Sequence, residues 1–162
     1  MQYVKVAFKK EGKGLFTYKP DKLYEANKWD PTASDPREFG GFNFSTPEKI
    51  LRWIFRGDTL YDVEIPEGAE VQEIESASAP HGIFRSNKIV LRNPRPITDD
   101  VAYELYMHSD LPWKSYIQSA CGCAIRGHWN TAFNILDNNI TNENRDEAIQ
   151  IIKDWCHPGG EV

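Results

Sequence analysis

Apolar positions along this chain change rhythm once. Up to about residue 97 they alternate with polar ones in short runs, and beyond it they return every three to four residues. Alternation puts every second side chain on one face of a strand; the longer interval puts them on one stripe of a helix. Tyr3 to Phe8 alternates loosely, "KKEGKG" supplies turn residues and Leu15 to Tyr18 follows, so a hairpin is expected over the first 18 residues. From Pro20 to Gly41 the chain is dense in Pro, Asp, Lys and Gly, which predicts a long loop with a short helical turn near Leu23-Tyr24. Gly41 to Phe44 reads as a short strand. Ser45 with Glu48 forms a capping box, Pro47 fits the first turn, Ile50, Leu51 and Ile54 make an apolar face, and Gly57 ends the helix. Further strands are expected over Thr59 to Ile65, Val71 to Glu75 and Ile83 to Leu91, with "SASAPHG" as a loop.

The last third reads as helices. Thr98 caps one that runs to about His108, and Pro112 opens a second. Trp113, Tyr116, Ile117, Ala120, Cys121, Ala124 and Ile125 follow at helical spacing, the strongest periodic signal in the chain. A third helix carries Trp129, Ala132, Phe133 and Leu136. A fourth carries Ala148, Ile151, Ile152 and Trp155 and stops at Pro158-Gly159-Gly160. Strands followed by helices predict an α+β fold. The expectation is one domain over 1–162. A twisted, mainly antiparallel sheet with one packed helix occupies 1–97, and three to four helices occupy 98–157.

Composition narrows the partners. The net charge is −5, which lacks the electrostatic footprint of a general nucleic-acid binder. No run of about 18 apolar residues predicts a membrane span, and the first residues lack the apolar block of a secretion signal. Three cysteines, an odd number, fit a reducing cytoplasm. Aromatic residues, at 12%, suit either a stiff core or an aromatic-lined surface.

The step from strand to helix at "GGFNFSTPEKILRWI" comes nearest to a site. Phe44-Ser45-Thr46 ahead of a helix, followed by "LYDVEIP" and then Glu73-Ile74-Glu75, resembles the middle of ADP-ribosyltransferase-like folds. In the arginine–serine–glutamate branch of that family a Ser-Thr-Ser strand braces the nicotinamide, and a later Glu-x-Glu stabilises the positive charge that develops on the ribose. The resemblance implies NAD as cofactor, Ser45 and Thr46 bracing the pocket, Glu73 helping to select the nucleophile, Glu75 as the catalytic carboxylate, and Phe44 or Tyr61 beside them. Pro47 stands in place of the second serine, and the first strand carries Lys5 and no arginine. Without that chemistry, Ser45 is a helix cap and the two glutamates are the wet face of an edge strand.

A second resemblance covers Gly41 to Leu91. "GFNF", "PEKILRWI", "DVEIP" and "FRSNKIVL" follow one another as in small domains of unknown function in phage and mobile-element proteins. It implies a small cytoplasmic accessory protein that binds a protein partner and needs no cofactor. Arg85 and Asn87 share one strand face and are candidates for binding a phosphate or an acidic partner, with Phe44 and Tyr61 as the aromatic contacts; a solvated strand face, with Lys88 on the opposite side, is the favoured reading of these charges. Cys121, Cys123, His128, Cys156 and His157 carry zinc-type ligand atoms, but Cys-x-Cys within a helix sends its thiols to nearly opposite sides, so no metal is expected. A third reading is an oligomer joined through the stripe on the 112–126 helix.

Overall fold

The structure is a computed structural model that describes residues 1–9, 17–75 and 81–156. Its strands are β1 (Tyr3–Ala7), β2 (Leu23–Glu25), β3 (Phe42–Phe44), β4 (Thr59–Glu64), β5 (Val71–Ile74), β6 (Ile83–Ser86) and β7 (Lys88–Pro96). Four α-helices follow: α1 (Asp99–Met107), α2 (Trp113–Ile125), α3 (Trp129–Asn139) and α4 (Arg145–Cys156). The fold is α+β, as the change of rhythm predicts.

The expected single sheet is two. β1, β4, β7 and β2 form one in the order β1-β4-β7-β2, and β3, β6 and β5 form the other in the order β3-β6-β5, all pairs antiparallel. The stretch Ile83 to Leu91 is not one strand. At Asn87 the chain leaves the small sheet for the large one. The Asn87 side-chain oxygen accepts the Glu70 N–H at 2.8 Å, and its carbonyl accepts the Ala26 N–H at 2.8 Å. Those bonds hold Asn87 between the sheets as a bracket. Leu23–Glu25, expected as a helical turn, is a short strand on β7. The first strand pairs with β4 instead of a hairpin mate; residues 10–16, where most of the expected turn and half of that mate fall, lie outside the described residues, as do 76–80 and 157–162.

Alternation along the large sheet feeds two cores. Val4, Val6 and Leu60 point to one side, where Ile50, Leu51, Ile54, Ala120, Cys123, Ala132 and Ile135 close over them. Tyr61, Val63, Ile89 and Leu91 point to the other and meet Phe44 and Phe84 of the small sheet. The Phe44 and Phe84 rings stack at 5.9 Å, and Tyr3 meets Phe44 edge-on at 4.9 Å.

Helices α1 to α4 match their expected spans closely. Thr98 Oγ1 accepts the Val101 N–H, which caps α1 as its position predicts. On α2 the buried face is rotated from the expected stripe. Ser115, Ile117, Ser119, Ala120, Gly122 and Cys123 face inward, whereas Ile125 stays 45% exposed. No helix among the described residues is long and apolar enough to cross a membrane.

The helix expected after Ser45 is a 3-10 helix, Ile50–Arg56, kinked at Trp53 and preceded by a turn over 46–49. Ser45 does not cap it. The Ser45 hydroxyl is buried and donates to the Gly82 carbonyl at 2.6 Å.

Candidate anion-binding site

The two sheets are joined at one corner. Val4 and Ser45 exchange both backbone hydrogen bonds, each 2.9 Å long, and this bridge draws β1 alongside β3. A cavity of about 220 Å³ opens beside it.

Register determines which side chains of the small sheet enter the cavity. Asn43 pairs with Arg85, and Ile74 pairs with Ile83, two residues before Arg85. By the two-residue period these four share one face, and all four line the cavity. Opposite them stands Lys5 on β1. The 3-10 helix supplies Ile50, Trp53 and Arg56, three residues apart. The span is two short 3-10 stretches that meet at the kink at Trp53, so Ile50 and Arg56 reach the cavity from either side of that kink. An aromatic ring and a guanidinium thereby reach the same space.

The long loop before β3 closes the rim. Trp29 bridges to Gly40, and the loop reverses at Gly40 and Gly41, both with φ above +70°. At Gly41 a Cβ would lie 2.6 Å from the Ser86 carbonyl oxygen, so the reversal and the close approach both require glycine. The Gly40 carbonyl accepts Nη1 of Arg85 at 3.1 Å, and Pro36 and Arg37 reach the cavity from a 3-10 turn, Pro36–Glu38.

The electrostatics are one-sided. Lys5, Arg37, Arg56 and Arg85 line the cavity, and no carboxylate among the described residues does. Arg37 is matched by Asp35 at 2.9 Å. Lys5, Arg56 and Arg85 have no carboxylate within 4.0 Å among the described residues. Lys5 is only 8% exposed, and its Nζ donates to the backbone oxygen and Oδ1 of Asn43 at 2.5 and 2.6 Å. Burial, reinforced by Arg56 and Arg85, brings the Lys5 amine down to about 7. Burial and then Arg85 also push Arg56 below the usual guanidinium range. Nε of Arg85 is buried with no hydrogen-bond partner among the described residues.

Of the residues the sequence singled out, Phe44, Ser45 and Arg85 reach this cavity. Tyr61 is fully buried in the core between the sheets, and Asn87 is the bracket described above. Thr46 is buried, and its carbonyl accepts the N–H groups of Lys49 and Ile50. Glu73 and Glu75 stand apart from Ser45. Ile74 lines the cavity, so the neighbouring glutamates point to the other face of β5, where Glu73, Glu75 and His81 gather in solvent with ligand atoms within 4.8 Å of one another. The acidic arrangement that ADP-ribosyl transfer from NAD needs is therefore not assembled around Ser45. Of the zinc-type residues, Cys121 is half-buried, Cys123 and His128 are buried, Cys156 is exposed and His157 lies outside the described residues.

Lys5, Asn43, Trp53 and Arg56 were not expected at a site. Lys5 carried a readable signal: a lysine between Tyr3 and Ala7 on the strand face opposite Val4 and Val6. The chain matches no protein-family model, no curated protein and no solved structure, so its function is read from this site.

Proposed function

We propose that the protein works by binding a small organic anion, a carboxylate or phosphate ester, in the cavity between β1, β3, β6 and the 3-10 helix. The observation that carries this reading is the convergence of Lys5, Arg56 and Arg85 on a space lined by no carboxylate, in a chain whose net charge is −5. Lys5 is buried, Arg85 half-buried and Arg56 exposed; a buried charge is costly unless paired, and a bound anion supplies a partner. Guanidinium groups suit carboxylate and phosphate because their N–H groups fork to two oxygens at once. Trp53 with Ile50, Ile74 and Ile83 gives the rest of the ligand an apolar surface.

Size narrows the ligand. A cavity of about 150 Å³ admits benzene, and pockets for drug-sized ligands run from about 300 Å³. At about 220 Å³ this one suits a compact acid. A small ligand whose charge and size are specified thus takes the place of the expected protein partner.

Thermal unfolding with oxalate, malonate and inorganic phosphate at low ionic strength tests the reading. Ligand at a hundred times its Kd stabilises by about 2.7 kcal/mol, which at ~2–4 °C per kcal/mol raises Tm by about 5–11 °C. Arg85→Gln is expected to abolish the rise. Midpoints that none of the three anions moves, or that move equally in the variant, refute the proposal.

A further inference from the structure

One group in the cavity goes beyond what holding an anion requires. Two guanidinium groups already provide charge, yet Lys5 is placed deeper than either and hydrogen-bonded to one residue. Its Nζ donates to both oxygens of Asn43. An ammonium has three N–H bonds, and a neutral amine has two and a lone pair. Two acceptors satisfy the amine and leave the ammonium one short. The surrounding charges act in the same direction: burial, Arg56 and Arg85 all favour the amine, and no carboxylate lines the cavity to oppose them. A lysine desolvated beside other cations is a recognised way of making its nitrogen nucleophilic.

We propose that Lys5 forms an imine with a small anion that carries an aldehyde or ketone, the anionic end of that substrate being held by Arg85 and Arg56. This rests on the anion-binding reading of the same cavity. The Nζ lone pair attacks the carbonyl carbon, so a C–N bond forms and the C=O π pair moves to oxygen. Both nitrogen-bound hydrogens then leave with that oxygen as one water, and nitrogen closes the C=N bond. Nothing is oxidised or reduced. The anionic group does two things. It places the carbonyl beside Nζ, which turns an encounter into an intramolecular step, and it offsets the positive charge of the protonated imine beside two arginines. A neutral ketone does neither.

The test uses the full chain near pH 7, where Lys5 titrates, with pyruvate or glycolaldehyde phosphate as probe. Cyanoborohydride reduces any imine to a stable amine, and peptide mass spectrometry maps it. Lys5 is expected to carry at least roughly ten times the label of any other lysine, with acetone giving no such preference. Oxalate should compete, and Arg85→Gln should remove the preference while circular dichroism stays unchanged. Lys5→Arg should abolish the labelled peptide; if that variant does not fold, the map of the unaltered chain decides alone. Labelling spread evenly over the lysines, or no labelling, while oxalate still raises the unfolding temperature, overturns the imine and leaves the anion site standing. Failure of oxalate, malonate and phosphate to bind overturns both.

Discussion

Replacing Lys5 by methionine is expected to stabilise the protein at and below neutral pH, although the lysine is buried and hydrogen-bonded. In the unfolded chain the amine titrates near 10.5, and in the folded one at about 7. Between those values the folded protein holds fewer protons than the unfolded chain, so stability climbs as pH rises. Below about 7 both forms are protonated and the full cost of the buried ammonium is present. Above about 10.5 both are neutral and the cost is gone. The difference, 10.5 − 7 = 3.5 units at ~1.36 kcal/mol each, comes to about 5 kcal/mol. The groups that face Nζ are Arg56, Arg85 and the Tyr18 ring at 5.5 Å, with no carboxylate among the residues lining the cavity to reduce that figure. Methionine removes the charge but leaves the two Asn43 oxygens without their donor, a loss of about 1–3 kcal/mol. The net gain at pH 6 is therefore about 2–4 kcal/mol, and at ~2–4 °C per kcal/mol Tm rises by about 4–16 °C. Urea unfolding of both proteins across the pH range gives the difference directly, and other titrating groups cancel in it. The gain should shrink by ~1.4 kcal/mol per pH unit above neutrality and change sign near about pH 9. A variant less stable at pH 6, with a difference that stays flat as pH rises, would refute the reasoning, because Lys5 would then carry an ammonium at ease in its surroundings.

Two further outcomes follow from side chains whose roles differ from their sequence reading. Ser45→Ala removes the buried bond to Gly82 and leaves a carbonyl unpaired, which should lower stability by about 1–3 kcal/mol without changing the far-ultraviolet helical signal; a loss of that signal would restore the capping role. Asp99 accepts the N–H groups of Asn130 and Thr131 and the Thr131 hydroxyl, so Asp99→Ala uncaps α3 and should cost about 1–2 kcal/mol in urea unfolding. Burial pushes the Asp99 carboxyl up, but the bonds from Thr131 and Asn130 outweigh it and hold the group below the usual aspartate range. Its contribution is thus complete above that range and fades as pH falls through the lowered value, so wild type and variant should converge in acid. A gap that persists there would refute the assignment.

The helices were legible because each buries a face at helical spacing and ends on local signals, Thr98 and Pro112 among them. What failed to show was decided by partners far along the chain. "FRSNKIVL" contains no Gly or Pro to interrupt it, and only the bonds of Asn87 to Ala26 and Glu70 divide it between sheets. Leu23–Glu25 is too short to show a period, and it is a strand because β7 offers it an edge. The face of α2 was misplaced because Ser115, Ser119 and Gly122 are buried by virtue of being small: a Cβ on Gly122 would sit 3.3 Å from Ile54. Over Ile50–Arg56, i and i+4 pairs predict an α-helix, whereas the chain kinks at Trp53 and winds more tightly. Arg85 was legible as a candidate because a charge inside a strand is conspicuous. Arg56 was not, because arginine at a helix end reads as ordinary solvation.

The distribution of charge bears on why the site exists. This chain has carboxylates to spare, and it pairs them with cations in solvent: Arg92 with Asp21 and Glu64, Arg95 with Asp62, Lys28 with Glu38. Exposed pairs of this kind contribute ~0–1 kcal/mol each. In the cavity, where an unpaired cation is far more costly, none is supplied. One glutamate at Gln72 or Ile74 of β5 would place a carboxylate on the face that carries Arg85, since Gln72 pairs with Arg85 in the ladder. A sequence selected for stability alone would gain from that substitution, and local rules are broken in this way where a structure serves a ligand. The 3-10 helix belongs to the same argument. Ile50–Arg56 is two short 3-10 stretches that meet at a kink at Trp53, and Ile50, Trp53 and Arg56 all reach the cavity. A buried amine beside two arginines, with no carboxylate among the described residues that line the cavity, is a departure from what folding favours. An anion bound there relieves it.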